Sequence, residues 1–302
     1  VTEAIVQDIT ADAPTAAVSV VAADGAAFEL MLVLPVGRPT ALLYWLPAMG
    51  VAARHYLPLA QALAARGLAV ALHEWRGIGS SNRRAGRHQD WGYRELLRHD
   101  LPAGLAAARG RCPGLPCLLG GHSLGGQVAC LYAGLHPGDF DGLALVASGS
   151  PYWRRFRRSR LIGGFYVLAP WLARWVGHLP GRRLGFGGNE ARGVIADWAR
   201  SGRTGRYAAA GVPEDLEAAL ARIDLPLVAV RLRDDWLGPQ ASLDWLLAKM
   251  PRARVSRVLL DPDDLQGPAD HFSWMKAPDP VADQLAGGLA DAMRPERRRA
   301  AS

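Results

Sequence analysis

The sequence predicts an α/β fold, with a mostly parallel central sheet covered by helices on both faces, and three observations carry that expectation. Apolar segments of strand length alternate with helical segments in the βα order that produces parallel sheets. One such unit, Pro116-Cys117-Leu118-Leu119 followed by Gly120-Gly121-His122-Ser123-Leu124-Gly125-Gly126 and the alanine- and leucine-rich Gln127–Leu135, reads as strand, tight turn and helix with a serine at the apex. At 302 residues, 50% hydrophobic and 21% charged, the chain can bury a full core as one domain with an insertion. No repeat period of about 20 to 50 residues occurs, which excludes a solenoid.

Thr40–Leu46 is a buried strand, and Pro47-Ala48-Met49-Gly50-Val51 turns sharply from it into a helix running from His55 to Arg66. The Gly-x-Ser-x-Gly unit at Ser123 follows further on. Glycines two places before and two places after the serine let strand and helix meet without side-chain clash, and the strained turn holds the hydroxyl clear of the sheet. The turn also puts Ser123 at a helix N-terminus, where unpaired amides and the helix dipole favour developing negative charge. Gly142–Ala147 is the next strand.

A serine nucleophile needs a base, and the base needs an orienting acid. On a sheet of this kind the partners follow the serine in the order acid, then histidine. Seven histidines, His55, His73, His88, His99, His122, His136 and His178, come before the second half of the sheet is complete, which leaves His271. It lies in the turn-rich Pro268–Ser273 after the strand-like Val255–Leu260. The strand before that one, Leu225–Leu232, reads as buried and parallel, and the loop Arg233-Asp234-Asp235-Trp236-Leu237-Gly238-Pro239 closes it. Either Asp234 or Asp235 can be the acid.

The net charge of +7 is concentrated between Tyr152 and Tyr207, where arginines such as Arg154, Arg155, Arg157, Arg158, Arg160 and Arg174 face only Glu190 and Asp197 as acids. The same stretch carries Trp153, Phe156, Phe165, Tyr166, Trp171, Trp175 and Trp198. It reads as an inserted cap, residues 151–207, on a core made of 1–150 and 208–302. Its aromatic underside is expected to form an acyl pocket, with arginines facing anionic substrates or an anionic membrane surface as a peripheral contact. Leu161–Ala173 is apolar but is interrupted by Pro170 and Arg174, short of the roughly 20 residues that span a bilayer. No nucleic-acid-binding motif accompanies the arginines, so no nucleic-acid partner is expected.

The start, Val1–Asp8, is acidic and lacks the layout of a secretory signal, and a cytoplasmic location is expected. Cys112, Cys117 and Cys130 are too few and unevenly spaced for a disulfide framework and should be reduced, with Cys117 and Cys130 in the core. No cluster has metal-ligand spacing and no Gly-rich phosphate loop occurs, so neither metal nor cofactor is expected. The tail Arg294–Ala300 reads as disordered. The sequence does not fix an oligomeric state.

Taken together, these loops resemble the α/β-hydrolases, in the branch that holds serine aminopeptidases and monoacylglycerol lipases, and most of all a bacterial set of predicted α/β-hydrolases. Glu74-Trp75-Arg76-Gly77-Ile78-Gly79-Ser80 is similar to the superfamily's Asp-x-Arg-Gly-x-Gly-x-Ser loop, with Glu74 in place of Asp. Pro180–Gly185 and Asp197-Trp198 resemble a stretch in the insertion of that bacterial set. The likeness covers residues from about 27 to 292. It implies the α/β-hydrolase fold with an inserted helical cap. Asp-x-x-x-Pro resembles the acid loop of many members, which favours Asp235, with Pro239 as the first residue of the next helix. Where many relatives read His-Gly-x-Gly, this chain has Pro47-Ala48-Met49-Gly50, so the oxyanion donors are expected to be the amides of Leu124 and Met49, with Ala48 or Gly50 if the register slips by one.

The resemblance implies a serine hydrolase that acts on a small-molecule ester or acyl substrate through Ser123, His271 and Asp235, with Trp153 and Trp236 expected against the substrate. The rivals are a thioesterase or acyltransferase with the same triad, and a binding protein that keeps the fold but turns over little. Dehalogenase and epoxide-hydrolase chemistry needs an aspartate at the elbow, where this chain has Ser123.

Overall fold

The computed structural model describes residues 13–293, so the stretches Val1–Asp8 and Arg294–Ala300 lie outside the described residues. The main sheet is built from Thr15–Val21 (β1), Ala27–Val33 (β2), Ala41–Leu46 (β3), Leu68–Leu72 (β4), Cys117–His122 (β5), Gly142–Val146 (β6), Pro226–Leu232 (β7) and Arg254–Leu260 (β8). Their spatial order is β1-β2-β4-β3-β5-β6-β7-β8. Only the pairings of β2, with β1 and with β4, are antiparallel. The expected mostly parallel α/β sheet is therefore present.

The central strands are continuous apolar runs because both of their faces are covered. In β3 the side chains alternate between two cores: Leu42, Tyr44 and Leu46 enter one, and Leu43 and Trp45 the other. The first core is closed by helices Leu101–Arg111 (α2), Leu124–Leu135 (α3) and Leu216–Ala221 (α6), the second by Leu57–Ala65 (α1) and Asp279–Met293 (α8). Burying an apolar face of each helix on this sheet contributes about 25 cal/mol per Å² removed from water.

Three boundaries differ from the sequence reading. The helix expected from His55 begins instead as a 3₁₀ turn, Ala53–Tyr56, before α1 proper. Helix α3 begins at Leu124, directly after the serine, because the glycines beyond the apex are already helical. Pro239 is not the first helical residue of Gln240–Leu247 (α7) but its N-cap, with ψ 158° extended and its carbonyl accepting from the amides of Ser242 and Leu243.

Between β6 and β7 the chain forms two packed helices, Ser159–Val176 (α4) and Arg192–Thr204 (α5), joined through a two-residue antiparallel pairing of Leu179–Pro180 with Asn189–Glu190. Gly202 lets the helices approach: a Cβ there would lie 2.5 Å from the Tyr166 ring. Asp197 ties the insertion to the core, its carboxylate accepting from the amides of Tyr93 (3.1 Å) and Ala210 (3.0 Å). Among the described residues no helix is long and apolar enough to cross a membrane.

Helix α3 packs backbone to backbone against the end of β3. A Cβ on Gly125 would sit 2.1 Å from the Leu46 carbonyl oxygen and 2.5 Å from that of Pro47, and both obstacles are backbone. Gly125→Ala should therefore cost about 3 kcal/mol or more and lower the melting temperature clearly. Gly110→Ala, in α2 with nothing within 4 Å of the added carbon, should be neutral or slightly stabilising. Equal melting temperatures for the two variants would contradict this account.

Candidate active site

The elbow places Ser123 at φ 54°, ψ −118°, a region that non-glycine residues occupy rarely and at a cost of roughly 1–3 kcal/mol. Neighbouring bonds hold it there. The Ser123 amide donates to Val146 O (3.1 Å), and the Ser148 hydroxyl donates to Ser123 O (2.7 Å). Leu124 is the first residue of α3, where a backbone amide has no partner within the helix.

Across the sheet, the loop after β7 buries Asp235, whereas Asp234 is exposed. Asp235 Oδ1 accepts from the amides of Leu237 (2.8 Å) and Gly238 (2.9 Å), and Oδ2 lies 2.8 Å from His271 Nδ1. Three donors thus satisfy a carboxylate with no exposed side-chain surface. Gly238 is needed at this point, since a Cβ there would meet Oδ2 at 2.6 Å. The histidine loop is fixed from both sides: Trp274 Nε1 donates to His271 O (3.0 Å), and Asp270 accepts from the amides of Phe272 and Ser273. With Nδ1 directed at Asp235, a neutral His271 carries its lone pair on Nε2.

The Pro47–Val51 loop is held by side chains far apart in sequence. Trp75 Nε1 donates to Pro47 O (2.9 Å), and the Ala48 amide donates to Tyr56 Oη (2.9 Å). Tyr56 Oη in turn lies 2.7 Å from Nδ1 of His122, the residue before the serine. Glu74, where the superfamily loop has aspartate, accepts from the Ala53 amide (3.0 Å) and so anchors the turn that follows. Burial raises the pKa of Glu74, although that amide and one from Ser80 pull it back. The backbone of Gly187 and Gly188 presses on Gly50 from the insertion: a Cβ on Gly50 would lie 2.0 Å from Gly188 N.

Ser123, His271, Met49 and Leu124 all line one cavity of about 490 Å³, mostly apolar. Trp236 stands at its rim. Trp153 does not line it; its indole packs instead against Gly163 of α4, where a Cβ would meet the ring at 3.1 Å. The insertion's aromatic wall comes from Phe156, Phe165, Tyr166, Phe186 and Trp198. Phe186 was absent from the sequence expectation. Trp171 and Trp175, expected on the underside, point outward. Cys112, Cys117 and Cys130 are all unbridged and buried. Among the described residues no group of three or more His, Cys, Asp or Glu side chains is placed to hold a metal ion.

The eight-stranded sheet with its single antiparallel strand, the serine elbow after β5 and the acid and histidine loops after β7 and β8 define an α/β-hydrolase. Residues 37–191 match the family described as "Serine aminopeptidase, S33", and the chain belongs to that family of hydrolases. It is also similar to human monoglyceride lipase, 33% identical over 115 residues, a segment that spans 37% of this chain and only 36% of the lipase. Among solved structures, an open-form lipase superposes with a TM-score of 0.66 at 17% identity, covering 93% of this chain and 100% of that one. The esterase domain of a Rhodothermus marinus protein gives 0.62 at 20% identity over 93% and 100% of the two chains, and a Pseudomonas aeruginosa hydrolase 0.56 at 19% over 93% and 99%. At these identities the structural likeness shows the fold.

Two histidines of this region are held neutral. Burial drives His122 well below its ordinary range, helped by repulsion from His271, and burial together with Arg76 drives His73 to about 3. The unfolded chain, with ordinary values near about 6.5, therefore takes up protons first. The stability these histidines contribute is fully present above that value and is lost as pH falls towards the folded values. For His73 the loss between about pH 7 and pH 5 should be about 2 kcal/mol. Denaturation at both pH values should show native protein losing about that much more than His73→Gln; equal losses would mean that His73 protonates without unfolding.

Proposed function

We propose that this chain hydrolyses carboxylic esters through an acyl-enzyme on Ser123. The observation that carries the proposal is the buried 2.8 Å pair of Asp235 and His271 on the same cavity as the strained Ser123. His271 Nε2 takes the Ser123 hydroxyl proton as Oγ attacks the ester carbonyl carbon. Asp235 keeps the Nδ1 proton in place and stabilises the imidazolium that forms. The carbonyl oxygen becomes an oxyanion, bound by the amides of Leu124 and Met49. Met49 is favoured over Ala48 because the Ala48 amide already donates to Tyr56, and over Gly50 because Met49 lines the cavity. Collapse breaks the bond to the leaving oxygen, which receives the proton from His271. Water, deprotonated by the same imidazole, then attacks the acyl-enzyme and frees acid and serine.

The apolar cavity suits an acyl chain, with the insertion 151–207 as its lid and Trp236 as a rim contact. A monoacylglycerol is the ester that the partial likeness to monoglyceride lipase puts first. One observation favours a second reading, a thioesterase or acyltransferase: Arg158 lines the cavity and suits a phosphate-bearing leaving group. Parallel turnover of p-nitrophenyl esters and acyl-CoAs separates the two.

Ser123→Ala should abolish both ester hydrolysis and fluorophosphonate labelling while leaving the melting temperature essentially unchanged, the rate dropping by several orders of magnitude. Full activity in that variant would sink the proposal.

The two aspartates should separate cleanly. Asp235→Asn replaces an acceptor with an amide and favours the wrong imidazole tautomer, for a loss of about four orders of magnitude in kcat. Asp234→Asn, exposed and away from the imidazole, should change the rate little. The reverse ranking would identify Asp234 as the acid.

A further inference from the structure

Helix α4 is apolar on two opposite sides. Its inner stripe, with Tyr166, Ala169 and Ala173, is buried against the insertion and core. Its outer stripe presents Leu161, Val167, Leu168, Trp171 and Trp175 to solvent, the two indoles 78% and 76% exposed. A helix covering a core needs only one apolar side, with charged residues opposite. The second side therefore has no partner in this fold, and such a ridge marks a surface that something else covers.

The surrounding charge says what kind of partner fits. Arg160 and Arg174 are exposed near the two ends of this stripe, and Arg157 and Arg158 precede the helix. Among the described residues none of these four lies within ion-pair distance of a carboxylate; the insertion's arginine ion pairs are those of Arg192 with Asp90 and Arg200 with Asp197. The insertion's only acids, Glu190 and Asp197, are both buried. A second copy meeting this face across a two-fold axis would set arginine against arginine. The ridge is also continuous with the cavity, since Leu161 belongs to both and Arg158, just before the helix, lines the cavity as well. A rigid protein covering the ridge would encroach on that opening, whereas fluid acyl chains would not.

We propose that the outer face of α4 docks on an anionic lipid surface, with Trp171, Trp175 and Leu168 entering the headgroup and acyl boundary and the arginines pairing with lipid phosphates. A helix lying in the interface plane with aromatic and aliphatic residues on one side and cations along its edges binds in this way. The cavity mouth then faces the layer from which an acyl ester can be drawn. This goes beyond the ester-hydrolase reading and does not depend on its chemistry.

The test uses the full chain carrying Ser123→Ala, so that binding is read without turnover. Co-sedimentation with phosphatidylcholine vesicles, with and without phosphatidylglycerol, should show binding to the anionic vesicles that weakens as salt rises. Trp171→Ser with Trp175→Ser should reduce that binding about tenfold or more. Arg157→Gln, Arg160→Gln and Arg174→Gln combined should also reduce it, by about fivefold or more per charge. Leu168→Glu, which leaves both rings in place, should act like the tryptophan pair, and Val21→Ser with Val36→Ser, exposed elsewhere, should change nothing. On the Ser123 background, soluble short-chain ester turnover and melting temperature should be the same with and without the tryptophan changes. No binding to anionic vesicles at low salt, binding indifferent to Trp171 and Trp175, or a dimer in sedimentation equilibrium that the tryptophan variant dissolves without changing vesicle binding would each overturn the proposal.

Discussion

The close approach of helix α3 to the end of β3 is the constraint on which the rest of the site depends. Gly121 and Gly125 remove every side-chain atom between the elbow and the carbonyls of Leu46 and Pro47, because a Cβ at either position would overlap backbone. This contact brings the first amides of α3 beside the Pro47–Val51 loop. It also forces Ser123 into its strained conformation, since a chain that turns so tightly from strand to helix has no relaxed backbone available at the apex. The strain is a local cost, offset by the buried sheet on one side and the covered helix on the other.

Around that contact, polar groups are fixed by one another. Tyr56 joins the Ala48 amide to His122, His122 lies against His271 with ring centroids 4.7 Å apart, and His271 meets Asp235. Segments spread over more than two hundred residues are thereby brought into one series of hydrogen bonds and a tilted ring contact. A buried network of this kind holds its members rigidly because each unsatisfied donor or acceptor would carry its full desolvation penalty. The neutral state of His122 belongs to the same logic: a second cation beside His271, away from solvent, would be repelled and poorly solvated.

The insertion obeys a different balance. On its inner side Tyr166, Phe165 and Phe186 pack around Trp198 at centroid distances of 4.7 to 6.2 Å and together wall the cavity. Its outer side keeps apolar and cationic residues together in solvent, which folding alone does not reward. Family membership and the sheet account for the core of the molecule, and the outer side of α4 is the part they leave unexplained.

Much of this was legible in the sequence because it is local or ordered. The Gly-x-Ser-x-Gly turn at Ser123 announces itself through glycine spacing, and the position of His271 after the last strand follows from chain order. The alternation of apolar runs and helices was enough for the mostly parallel sheet. Asp234 and Asp235 are adjacent and chemically identical, so residue type alone left both open; burial of one and exposure of the other decided which carboxylate lies against His271. The Ala48 amide is spoken for by Tyr56, a pairing no spacing rule contains. Trp153, expected against the substrate, packs on Gly163 of α4, while Phe186 lines the cavity, because an aromatic residue's neighbours are set by tertiary packing. The tryptophans of α4, Trp171 and Trp175, were expected on the aromatic underside of the cap, yet they face outward. Periodicity specifies which residues share a side of a helix, but only tertiary packing determines which side is covered.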